Sequence, residues 1–351
     1  MNTLRSFRAG SILLLAGTVA CADAPVAPVT PPSSASLVKA AAGGSEDNVI
    51  VSPRIAEINA TLTSLGAKVR LSKVELLRGP DWDGKSATLI IADNRDRGIG
   101  AEWVKGDPNR DGRVGVTYQV ASHLGVTPFV INPDRATARF ATYAELEALI
   151  EESMSAWRNE TCSDAPITRV AIPAGTDPTF LDNIFLGQAP SANYAQTADI
   201  IQGGWYPASF FRNLAVLFGM PPEAGNGIIG VTLTFTYVDQ NGNPTDLDRN
   251  RKLDIGLAEI YYNAGFVYDN SGLVDLRVVD YFSVIAHETG HALGLGHLGK
   301  IFVTKPAQED GIFLSEVKYA PYALMNASYI AGQNYIAGLD RSQFCQIWSG
   351  R

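Results

Sequence analysis

Histidine and cysteine are scarce in this chain: four and three among 351 residues. Lysine and arginine form no cluster, and the formal net charge is −8, which argues against nucleic acid as a partner. Beyond the first twenty residues no run is long and apolar enough to cross a membrane. The scarce histidines are concentrated. Three of the four fall inside the eleven residues His287–His297, and the apolar fraction of 46% is enough for an ordinary core around them.

That stretch lies within Tyr281–Leu298, YFSVIAHETGHALGLGHL, where His287, Glu288, His291, Gly294 and His297 form H-E-x-x-H-x-x-G-x-x-H. On an α-helix, residues four apart share a face, so His287 and His291 present two imidazoles to one ion. Glu288 sits one residue on, beside the ion, where a carboxylate holds and deprotonates a water. Gly294 ends the helix because glycine takes the left-handed turn other residues resist. The chain then doubles back and His297 supplies a third nitrogen. Three neutral imidazoles with one open position make a catalytic zinc arrangement, not a closed structural one. Asp280 is the candidate N-cap of this helix.

This array resembles the metzincin clan of zinc peptidases. The resemblance implies an α+β fold: a twisted mixed β-sheet with an active-site helix, a methionine-bearing turn beneath the zinc and a C-terminal helix. Ala323–Ser328, ALMNAS, is similar to the Met-turn of the matrixins, with Met325 in the defining place. The strand VTY at 116–118, followed by the Thr142–Arg158 helix with Trp157 near its end, resembles the start of a matrixin domain. That helix carries a capping box, Thr142 with Glu145. The resemblance covers approximately Arg113–Arg351. It implies zinc-dependent hydrolysis of internal peptide bonds, with His287, His291 and His297 on the metal and Glu288 as general base. Gly294 and Met325 would be structural supports. Tyr322 and Tyr329, flanking the Met-turn, are candidate hydroxyl donors. Matrixins also hold a structural zinc on further histidines, and with only His123 left over that site is expected to be absent. Residues 299–321 are longer than the matrixin equivalent and read as an inserted hairpin.

The chain before this region divides by composition. Residues 1–21 read as an export signal: Arg5 and Arg8 precede the uncharged apolar run Ala9–Val19. Thr18 to Cys21 resembles a bacterial lipobox, with Cys21 as the lipidated residue. Ala20-Cys21-Ala22 also fits an ordinary signal peptidase site, which would leave the protein freely secreted. Either reading places it outside the cytoplasm, on the outer membrane or cell surface if lipidated. Residues 22–48, rich in Pro, Ala, Ser and Thr, read as a disordered linker. Residues 49–112 read as a small α+β unit, either a propeptide or an accessory domain. It contains no cysteine, so the cysteine-based latency of matrix metallopeptidases is not available to it.

Two acidic stretches read either as calcium sites or as solvated loops. Asp107, Asn109 and Asp111 open an EF-hand-like pattern, but Tyr118 stands where its last acidic ligand belongs. Asp246, Asp248, Asn250 and Asp254 alternate in the second, where Leu257 replaces the closing Glu. Ile228–Val238, IIGVTLTFTYV, is the longest β-branched run. It is expected as the edge strand that receives a peptide substrate or as an internal core strand. Cys162 and Cys345 remain in an exported protein, and their pairing is expected, with two buried thiols as the alternative.

Overall fold

The computed structural model describes residues 48–79, 86–93, 99–104, 115–121, 127–131, 138–162, 166–269, 278–303, 307–309, 312–314, 317–320, 322–329 and 333–349. The export segment with Cys21, the proline-rich linker, and Asp107, Asn109, Asp111 and His123 lie outside the described residues.

Runs rich in β-branched and aromatic side chains form the strands. In chain order these are β1 (Val49–Val51), β2 (Val69–Arg78), β3 (Leu89–Ile91), β4 (Ala101–Trp103), β5 (Val116–Val120), β6 (Phe129–Ile131), β7 (Ala138–Phe140), β8 (Ile167–Arg169), β9 (Ile200–Tyr206), β10 (Ile228–Tyr237), β11 (Leu253–Asn263), β12 (Val267–Asp269) and β13 (Val279–Asp280). The principal helices are α1 (Arg54–Ser64), α2 (Tyr143–Arg158), α3 (Leu181–Phe185), α4 (Ala208–Leu217), α5 (Tyr281–Ala292) and α6 (Gly338–Trp348). The fold is mixed α and β. Its main sheet has nine strands, in the order β1-β3-β2-β10-β11-β9-β5-β8, with β4 alongside β11. A smaller sheet runs β13-β12-β6-β7.

β10 and β11 are buried along their whole length, which is why their sequences run as nearly continuous apolar and threonine stretches instead of alternating. β10 is therefore the internal strand of the two alternatives. β2 pairs antiparallel with one side of it, from Val69 opposite Tyr237 to Arg78 opposite Ile228, and β11 pairs with the other. The same pairing corrects the division at residues 49–112. That segment is not a unit of its own: β1, β3 and β2 extend the main sheet, and β4 joins it at β11. The physical reason is the edge. Without β2, β10 would present a row of unpaired N–H and C=O groups.

α5 packs against β10 and β11, with α2 beside it. Asp280 caps its start, accepting from the Ser283 N–H at 2.8 Å. Its far end is satisfied by indoles: Trp103 Nε1 donates to the Ala292 carbonyl at 2.9 Å and Trp348 Nε1 to Leu293 at 3.0 Å. These carbonyls have no partner within the helix, so the two tryptophans stand in for the missing turn. Trp157, on α2, donates to the Ala286 carbonyl at 2.9 Å and fixes the two helices in register. Thr142 caps α2 reciprocally with Glu145. Cys162 and Cys345 form a disulfide with Cα atoms 5.5 Å apart, tying α6 to the chain just beyond α2. In the 299–321 region β14 (Lys300–Val303) pairs antiparallel with β17 (Val317–Ala320), and β15 (Ala307–Glu309) with β16 (Ile312–Leu314).

Candidate metal centre

The turn after α5 brings the three histidines together. Gly294 has φ of 98°, a conformation that a Cβ would strain, and it reverses the chain as the motif requires. The Nε2 atoms of His287 and His291 stand 3.0 Å apart, and those of His291 and His297 3.1 Å. The opposite nitrogens are engaged elsewhere. His287 Nδ1 lies 2.7 Å from the Leu324 carbonyl oxygen and His291 Nδ1 2.9 Å from that of Leu295. A carbonyl only accepts, so each Nδ1 carries the proton and each Nε2 is left as a lone pair. Burial first, and then His297, pushes the His287 pKa down to about 3 and holds that of His291 well below the usual imidazole value. Two neutral imidazoles therefore aim lone pairs at each other across hydrogen-bond distance with no proton between them. The donor set fits a cation placed among the three nitrogens, and nitrogen ligands of this kind suit zinc.

The neutrality of His287 has a consequence for the metal-free chain. Its folded pKa lies below its unfolded value of 6.5, so between the two the unfolded chain binds more protons. Stability is then full above pH 6.5 and is lost as the pH falls toward 3. Chelator-treated protein is expected to unfold at lower denaturant concentration at pH 4.5 than at pH 7.5, and the His287→Asn variant should lose less over that range.

Glu288 is fully buried and its carboxylate turns toward β10. Oε2 accepts from Thr232 Oγ1 at 2.6 Å, and Oε1 has no hydrogen-bond partner. The Leu77 backbone N–H, on β2, also faces the carboxylate and favours its charged form. Burial outweighs these contacts, and the nearby Glu75 adds to it, so the carboxyl is held well above the usual range. The room for it comes from Gly230, where a Cβ would stand 2.5 Å from Glu288 Oε1.

Met325 is buried beneath the helix. Its sulfur fills the space beside Gly290, where a Cβ would come within 2.4 Å of it. The turn that carries Met325 is held by Asp340 of α6, whose buried carboxylate accepts from the N–H groups of Leu324, Met325 and Ala337 at 2.8, 3.0 and 2.8 Å. Asn326 adds a bond from Nδ2 to the Leu298 carbonyl at 2.7 Å, next to His297. Tyr329 is buried, and its hydroxyl oxygen accepts from the Asp280 N–H at 3.1 Å, at the start of α5. Tyr322 lies with its ring centroid 6.2 Å from that of Tyr335.

Thr232, Gly230, Gly290, Asp340 and Glu75 were not apparent in the sequence. Glu75 Oε1 lies 3.3 Å from His291 Nδ1, and Glu75 Oε2 lies 2.8 Å from Lys73 Nζ. In the second acidic stretch, carboxylate oxygens of Asp246, Asp248 and Asp254 lie within 4.8 Å of one another. Several of these oxygens already accept backbone N–H groups, from Arg251 to Asp246 and from Leu247 to Asp254. Asn250 bonds Asp248 through its own N–H at 3.2 Å. No protein-family model and no curated protein matches the chain.

Proposed function

We propose that the chain is a zinc metalloendopeptidase of the metzincin clan, matrixin-like, that hydrolyses internal peptide bonds of proteins outside the cytoplasm. The observation that carries this reading is the convergence of three imidazole Nε2 atoms at 3.0 and 3.1 Å, with the Nδ1 protons of His287 and His291 committed to carbonyls. His287, His291 and His297 would hold one zinc, which when bound supplies Lewis acidity toward a water and a peptide carbonyl. Glu288, raised in basicity by burial, takes the proton from that water and returns it to the departing nitrogen. Thr232 holds one oxygen of Glu288 and leaves the other open for this transfer. Gly294 and Met325 position the ligands and take no part in proton transfer. The export signal read at residues 1–21 supports extracytoplasmic proteins as substrates, with the enzyme either tethered by a lipid at Cys21 or freely secreted.

The test is incubation of the zinc-supplied protein with casein, followed by mass analysis of the products. Internal fragments that stop forming when a chelator is added support an endopeptidase. Release of single amino acids, or an unchanged substrate, contradicts it.

A further inference from the structure

Two of the three histidines sit on a helix and the third does not. His287 and His291 lie on α5, whose backbone ladder fixes where their side chains begin. His297 is partly exposed and lies in the irregular stretch 295–299, between Gly294 with φ of 98° and Gly299 with φ of 80°. Glycine-rich backbone of this kind has many conformations to lose. Yet the His297 Nε2 stands 3.1 Å from that of His291, so something outside the stretch holds it there.

The chain is gripped on both sides of His297. After it, the Leu298 N–H donates to the Met325 carbonyl at 2.7 Å, and the Leu298 carbonyl accepts from Asn326 Nδ2 at 2.7 Å. Before it, Gly296 faces Gln343 of α6. A side-chain amide has one acceptor end and one donor end, and only one orientation sets unlike groups against Gly296. In that orientation Gln343 Oε1 accepts from the Gly296 N–H at 3.1 Å and Nε2 donates to the Gly296 carbonyl at 3.3 Å. The pair copies with a side chain the two bonds that opposite residues exchange in a β-ladder. Gln343 stands three residues along α6 from Asp340, on the same face. Asp340 holds the turn whose Leu324 carbonyl receives His287 Nδ1. α6 therefore reaches two of the three rings, by separate routes.

Resting on the zinc reading of this site, we infer that Gln343 is a positioning residue for the third metal ligand. By fixing both backbone groups of Gly296 it holds His297 at the spacing that closes the triad of nitrogens. It touches no reacting atom and acts through His297 alone. Gly294 permits the reversal of the chain, and Gln343 sets where the reversal stops.

The experiment measures zinc affinity, by competition with a coloured chelator, on the full chain and on Gln343→Met and Gln343→Ala. Methionine fills nearly the same space without an amide, so it removes the two bonds and keeps the packing. The expected result is zinc binding weaker by about tenfold in both variants, the lower end of the range for groups that orient a metal ligand. The denaturant midpoint of metal-free Gln343→Met should stay at the wild-type value. With cobalt in place of zinc, the visible spectrum of the variants should change, which a loss of fold stability alone would not cause. Gln346→Ala, exposed on the same helix, should leave affinity and spectrum as they are. A further readout needs no metal: the Gly296 amide should exchange with solvent about tenfold faster in Gln343→Met than in the wild type. A Gln343→Met chain that binds zinc as tightly as the wild type overturns the inference and leaves the metal centre standing. Equal exchange at Gly296 in the two chains also overturns it. Failure of both variants to fold would make Gln343 a support of the fold and overturns it too. A wild-type chain that binds no zinc counts against the metal centre and the inference together.

Discussion

Glu288→Gln is expected to lower kcat on casein by about a thousandfold, the middle of the usual range for removing a general base, while the protein keeps its zinc. The substitution is nearly isosteric. The amide oxygen still accepts the hydrogen bond from Thr232 Oγ1 that Oε2 now receives at 2.6 Å, so helix and sheet stay in contact. What is lost is the lone pair that takes a proton, since an amide nitrogen is no base. His287 and His291 keep their carbonyl partners, and the three rings keep their spacing, because none of them bonds Glu288 among the described residues. Kinetics and metal content on the same sample separate the outcomes. Loss of both would make Glu288 a support for the metal site, and full retention of activity would remove it from the mechanism.

The second large effect lies away from the metal. Asp340→Ala is expected to destabilise the protein by at least about 3 kcal/mol, because three buried N–H groups lose their acceptor at once and each such orphan costs about 1–3 kcal/mol. Those groups belong to Leu324, Met325 and Ala337. The Leu324 carbonyl receives His287 Nδ1, so loosening the turn also frees one imidazole to change tautomer. The variant should show a lower denaturant midpoint and weaker zinc retention together. Asp340→Asn, which keeps one carbonyl acceptor, should fall between the variant and the wild type. Equal stability of Asp340→Ala and wild type would show that the turn is held by packing around Met325 alone.

Much of the site could be read from local sequence because its chemistry is local. The helix carrying His287 and His291, its Asp280 cap and the Gly294 reversal all follow from spacing and from what glycine alone tolerates. The Thr142 capping box was legible for the same reason. The place of β2 was not. Its ladder with β10 joins residues far apart in the chain, as in the pair Val69 and Tyr237, and main-chain hydrogen bonds carry no sequence signature. Composition separated residues 49–112 from residues 113–351, whereas the unpaired edge of β10 draws them into the same sheet. Gly230 and Gly290 were missed because their need for glycine comes from a neighbour in space, the Glu288 carboxylate at one and the Met325 sulfur at the other. Nothing local in the sequence marks Trp103 or Trp348. Only the fold shows that their indole N–H groups close the end of α5.

The most direct measurement is the metal content of the purified full chain beside that of His291→Ala, with casein hydrolysis assayed on both. The account predicts one zinc per chain in the wild type, loss of metal and activity together on chelation, and recovery of both when zinc is returned. It predicts neither metal nor hydrolysis in His291→Ala. A wild-type chain that binds no zinc near neutral pH, or that hydrolyses casein equally well without it, would contradict the central claim.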